Sequence, residues 1–197
     1  MNAKDTILNA LRQHTPSIEI FPRPDLPDAQ VSGTPIEAFS AALSAAGGTA
    51  VSIATEADAQ AAIAQHYPDL GDQAVYSVCP ELLAGNREWS PDTSAADLEA
   101  PYLSVLRGTL GVTENGAVWV DKATLEIPAM AFWCEHLVLL IQADTLVPRM
   151  AEAYRTLHAT AQHNGYFIAG PSKTADIAQT LVIGAQGARS CLVLVQG

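Results

Sequence analysis

The chain has no Cys-x-x-Cys pair: its three cysteines, Cys79, Cys134 and Cys191, stand far apart, each in or beside an apolar segment. That spacing argues against a cluster, zinc or thioredoxin-type site held by this chain alone, and three buried thiols are the expectation. Basic residues are scarce. Ten Lys and Arg face 21 Asp and Glu, a net charge of -11 without a long run of one sign, so nucleic acid and anionic membrane surfaces repel the protein. No apolar run approaches the roughly 20 residues that span a bilayer; the longest, HLVLLIQA, occupies 136–143. The amino-terminal MNAKDTILNALRQ lacks an apolar signal-peptide core, and a cytoplasmic location is the expectation. Aromatics are few, 6%, whereas apolar residues make up 49% of the 197. That balance favours Ala-rich helices packed on a sheet, within about one domain's worth of chain.

What is present alternates. Residues 4–13 read as a helix with Ile7, Leu8 and Leu11 on one face, followed by the proline-rich PSIEIFPRPDLP, an extended arm. Residues 1–34 therefore form an amino-terminal helix and arm, and 35–197 a single α/β domain. Thr34-Pro35-Ile36-Glu37 has the form of a capping box with Pro at the first helical position, and Gly47-Gly48 ends that helix. A strand over 49–54, a Thr55-capped helix through about 66 and a strand over 74–79 make a β-α-β run. The polar segment 84–100 reads as a surface loop, a hairpin over 109–121 follows, and LVLLIQ (137–142) is a fully apolar strand. A helix begins near Pro148, with Met150, Tyr154, Leu157 and Ala161 on one face; strand YFIAG, a helix from Thr174 and strand CLVLV complete the chain. Apolar strands alternating with helices predict a mostly parallel sheet covered on both faces, with the hairpin as an antiparallel insertion. Ligands in such sheets gather at the carboxyl ends of the strands.

Two stretches carry candidate chemistry. In GVTENGAVWV, Asn115-Gly116 predicts a two-residue turn that pairs Glu114 with Ala117 and Val112 with Trp119, placing a carboxylate on the face of Leu110, Val112 and Trp119. Such a Glu is either solvated beside the turn or functional. In FIAGPSKTADIAQTLVIGAQG, Gly170-Pro171 turns the chain and Ser172, Lys173 and Thr174 stand at a helix start. Unpaired N–H groups there suit a carboxylate or phosphate, with Lys173 adding charge; alternatively Ser172 or Thr174 simply caps the helix. Cys134-Glu135-His136 reads as a strand entry rather than a ligand set, since no second cluster has metal spacing.

Taken together, the Glu114-Asn115-Gly116 turn, LVLLIQADTLVPRM and AGPSKTADIAQTLVIGAQGARSCLVLV resemble the LUD-domain family over about residues 100–197. The resemblance implies a three-layer α/β/α sandwich of the sugar-phosphate isomerase and CoA-transferase-like type, its motifs meeting at one end of the sheet. It implies an accessory role in organic-acid utilization, L-lactate foremost, with binding of a small carboxylate or phosphate and of iron-sulfur partner subunits. No cofactor is implied on this chain, and iron-sulfur clusters belong to the partners. Carried over by motif position, Glu114 is the candidate catalytic residue, and Thr113, Asn115, Gly116, Gly170, Ser172, Lys173, Thr174 and Asp176 are the candidate ligand-binding residues. Two departures stand out: Gln186-Gly187-Ala188 occupies the place where many relatives have a His-Gly-Pro turn, and Asn115 stands where relatives more often carry Thr. The resulting Thr-Glu-Asn-Gly is also similar to the turn of CoA-transferases whose Glu attacks an acyl-CoA. Acyl or CoA transfer through Glu114 is thus the alternative expectation.

Overall fold

A computed structural model of the chain describes residues 3–13, 33–93, 99–160, 164–174 and 182–197. Helix α1 (Ala3–Gln13) buries none of its residues. Helix α2 (Pro35–Ala45) starts as the sequence predicts: Glu37 Oε2 accepts from the Thr34 N–H at 2.8 Å, and Thr34 Oγ1 accepts from the Glu37 N–H. Helix α3 (Glu56–His66) repeats the device with Thr55 and Asp58.

Five parallel strands form the central sheet in the order β1 (Thr49–Ile53), β11 (Ser190–Gln196), β6 (His136–Gln142), β3 (Leu103–Arg107), β2 (Val75–Ser77). Along β6 the side chains alternate. Leu137, Leu139 and Ile141 face a core that includes α2 residues Phe39 and Leu43, while Val138 and Leu140 face a core with α3 residues Ala59 and Ile63. A strand buried on both faces has no polar position, which is why HLVLLIQ reads as an uninterrupted apolar run. Strand β3 was not expected: Ser104 and Arg107 interrupt its apolar run, and Ser104 tolerates full burial because its hydroxyl donates to Met130 O at 2.7 Å.

The hairpin belongs to a second sheet, β7 (Leu146–Val147), β4 (Leu110–Val112), β5 (Ala117–Asp121), β8 (Gly165–Ile168). This sheet contributes Val118, Val120 and Ile168 to the α2-side core, while Leu110, Val112 and Trp119 pack with Ala153 and Leu157 of helix α4 (Met150–Ala159). YFIAG therefore supplies an antiparallel partner of β5 rather than a member of the parallel sheet. The hairpin register also differs from expectation. Val112 pairs with Ala117 and Leu110 with Trp119, because residues 113–116 form a four-residue loop closed by Gly116 N–H to Val112 O, 2.9 Å. Gly116 at φ +70° and the Asn115 Oδ1 acceptor for the Ala117 N–H make the longer loop fit. Glu114 accordingly leaves the ladder.

Strands β9 (Lys173–Thr174) and β10 (Val182–Ile183) form a small antiparallel pair. Lys173 and Thr174 are extended, not the first residues of a helix; the helix expected from Thr174, with Asp176, falls on residues 175–181, outside those described. All three cysteines are buried free thiols, as their spacing suggests. Among the described residues no helix is long and apolar enough to cross a membrane.

Candidate functional site

Glu114 has a structural employer. Its Oε2 accepts a hydrogen bond from the Met150 N–H at 3.0 Å, the first helical residue of α4, whose own N-cap Arg149 makes no side-chain capping bond. Helix starts carry unpaired N–H groups and partial positive charge, so a carboxylate supplied from the neighbouring turn satisfies both. Thr113 fixes the approach: its N–H donates to Val147 O at 2.9 Å and its hydroxyl to Pro148 O at 3.1 Å. Attack through Glu114 Oε2 would first have to release the α4 N-terminus.

The Gly170 to Thr174 segment lies beside this turn. The β5–β8 pairing ends at Val118 opposite Ile168, two residues short of both Gly116 and Gly170. Both glycines press on the last turn of α2: a Cβ on Gly116 would lie 2.5 Å from Leu43 Cα, and one on Gly170 2.7 Å from Ala46 O. Lys173 Nζ would lie 3.1 Å from a Cβ on Gly47, so the ammonium sits over the carboxyl end of α2, where exposed carbonyls attract a cation. The Ser172 N–H is taken by Ala188 O at 2.8 Å and Ser172 O by the Gly184 N–H at 2.9 Å. The anion seat foreseen at residues 172–174 therefore has no helix start, and its Ser172 donor is occupied. The two motifs are brought together, but at the amino end of the central sheet, because the α2 turn they share leads into the first residue of β1.

At that same end a pocket of about 630 Å³ opens between residues 129–135, which lead into β6, and residues 184–189, which lead into β11. Phe132 and Trp133, 43% and 48% exposed, form its aromatic side; Cys134, Gly187, Gln186, Glu135 and Arg189 also line it. Arg189 holds Glu135 at 2.6 Å, and its N–H donates to Glu135 O at 2.7 Å, tying the two loops together. Gly184, at φ +78°, makes room: a Cβ there would lie 2.2 Å from Arg189 Cγ. Gly187 does the same for Ser172, whose Cβ would be 3.1 Å away. Ser172 thus backs the pocket wall without lining it; Glu114 and Lys173 face elsewhere. Burial pushes the Cys134 thiol up to about 11, so it is protonated at neutral pH and unsuited to attack.

Beside the pocket, His136 Nδ1 lies 2.7 Å from Ser190 Oγ, and the rings of Tyr102 and Tyr67 flank the imidazole. Burial lowers the His136 pKa, against the opposing pull of Glu135. The imidazole is neutral at pH 7. Among the described residues no three His, Cys, Asp or Glu side chains could jointly hold a metal ion. Arg189 is the residue that sequence reasoning missed. One signal was available: residues 156–197 contain two cations, Lys173 and Arg189.

Residues 104–195 match the LUD domain family. The chain is 27% identical over 168 residues to the uncharacterized protein YkgG of Escherichia coli, covering 75% of this chain and 73% of that protein. Lactate utilization protein C of Exiguobacterium sp. is 32% identical over 131 residues, covering 54% of this chain and 56% of that protein; the Halalkalibacterium halodurans protein of that name is 38% identical over 92 residues, covering 43% and 40%. The chain thus spans about half the length of these lactate utilization protein C relatives. Among solved structures, a crystal structure of a DUF162 family protein from Deinococcus radiodurans superposes with a TM-score of 0.59 at 17% identity, covering 83% of this chain and 96% of that one. That likeness establishes the α/β fold.

Proposed function

We propose that this chain serves organic-acid utilization, L-lactate foremost, as a LUD-domain subunit that binds rather than transforms a small anionic ligand. The relatives named lactate utilization protein C support the process. The observation that carries the binding role is Arg189, a cation lodged over Gly184 at the mouth of a pocket whose lining falls mostly within the matched stretch. An arginine fork is built to accept a carboxylate or phosphate in two parallel hydrogen bonds. Glu114 acts as a positioning residue for α4 in this reading. Val182 and Ile183 are exposed large apolar side chains outside the pocket lining, suitable for contact with iron-sulfur subunits that would carry the electrons. The protein works in the cytoplasm without a cofactor of its own.

Deletion of the gene in its own host tests this. Growth on L-lactate as sole carbon source should fail while growth on succinate continues, and the intact gene supplied in trans should restore it. Undiminished growth of the deletion strain on L-lactate would contradict the proposal.

A further inference from the structure

We propose that the pocket beside Arg189 takes a flat, aromatic-sized anion, and that lactate itself is not the molecule it is shaped for; this rests on the reading of the pocket as an anion site. Volume is the first reason. A three-carbon hydroxy acid displaces roughly 100 Å³, the space of about three waters, whereas the pocket is a wide, open depression of about 630 Å³, room enough for a ring-bearing ligand. A lactate held by Arg189 would leave most of the apolar lining in contact with water alone.

The lining is the second reason. Two adjacent aromatic side chains, Phe132 and Trp133, stay 43% and 48% exposed although abundant apolar core is available a few residues away at Met130 and Ala131. The Phe132 ring is held edge-on by Tyr166, centroids 4.9 Å apart, so it is not a loose surface side chain. Gly184, Gln186 and Gly187 also line the pocket, and the space at Gly184 is taken by the Arg189 stem, which the glycine seats against the backbone. Exposed, held aromatic rings and a guanidinium in one pocket suit a ring with an anionic substituent.

The third reason is the Arg189–Glu135 pair. Both side chains are well exposed, 65% and 40%, so the pair adds little to stability and can open at small cost. An incoming carboxylate would take the place of the Glu135 oxygens on Arg189, and Glu135 would turn to water. Glu135 therefore competes with the ligand, and the sign of its effect is fixed: removing its charge must strengthen binding of an anion.

Calorimetric titration of the full-length chain with 2-naphthoate, 2-naphthalenemethanol and L-lactate tests this. Naphthoate should bind about tenfold or more tightly than either the neutral alcohol or lactate, since it alone combines ring and charge. Arg189→Ala should abolish the preference for naphthoate over the alcohol, Arg189→Lys should retain part of it, and Glu135→Gln should tighten naphthoate several-fold. Trp133→Ala should weaken both ring compounds alike. Lactate binding as tightly as naphthoate would overturn the ring preference while leaving an anion site in place. Equal affinity for naphthoate and the alcohol would overturn the Arg189 contact, and binding of none of the three would overturn both the ring preference and the anion site. Weaker naphthoate binding by Glu135→Gln would contradict the competition.

Discussion

Replacing Glu114 by alanine removes the carboxylate that holds the Met150 N–H, and with it the side-chain acceptor seen at the start of α4. Lost caps cost about 0.5 to 2 kcal/mol, and a loss near 1 kcal/mol lowers the melting temperature of a chain of this size by about 3 °C. Glu114→Gln keeps an acceptor and loses only the charge facing the positive helix end, so its loss should be smaller, about 0.3 to 1 kcal/mol, and should shrink further in high salt. Circular dichroism melts of the three proteins at low and high salt measure both effects. The CoA-transfer alternative makes the opposite forecast: little change in stability, and a hydroxylamine-sensitive adduct on incubation with an acyl-CoA. A melting temperature for Glu114→Ala within half a degree of the parent's, together with such an adduct, would refute the structural role.

Gly116→Ala forces a side chain into a φ of +70° and to within 2.5 Å of Leu43 Cα, and should cost about 2 kcal/mol or more; urea unfolding should show a lower midpoint at unchanged slope. The thiols of Cys79 and Cys134, held near 11, and that of Cys191, held near 12, are all raised chiefly by burial. Ellman's reagent at pH 8 should therefore find them unreactive in the folded protein and reactive in guanidinium. His136 is neutral in the fold and has its pKa lowered from 6.5, so near pH 6 the unfolded chain binds more protons. Its contribution to stability is full above pH 6.5 and is lost as pH falls through the depressed folded value. Melting temperatures from pH 7.5 to 5 should fall less steeply for His136→Gln than for the parent, and identical slopes would contradict this.

Local features were legible in the sequence and long-range ones were not. The caps of α2 and α3 depend on residues three apart, Thr34 with Glu37 and Thr55 with Asp58, so the chain alone announces them. Strands β6 and β11 announce themselves because burial on both faces leaves them apolar throughout. The hairpin existed in the sequence but its register did not, because Gly116 is set by contact with Leu43 on a distant helix. YFIAG looks like any buried strand, and only pairing with residues 118–121 shows that it joins the second sheet. Gly170 was picked out by motif, and it and Gly116 of the Glu114 turn both press on the end of α2. Arg189 stood out only as one of two late cations, because its partner Glu135 lies 54 positions away.

The proposed function puts the working site at Arg189 rather than at Glu114, and one growth comparison separates them. Strains whose chromosomal gene carries Arg189→Ala or Glu114→Gln are grown on L-lactate, with protein abundance checked by immunoblot. Arg189→Ala should fail to grow at parental protein level, whereas Glu114→Gln should grow. Growth of the Arg189→Ala strain, with failure of the Glu114→Gln strain at parental protein level, would contradict it.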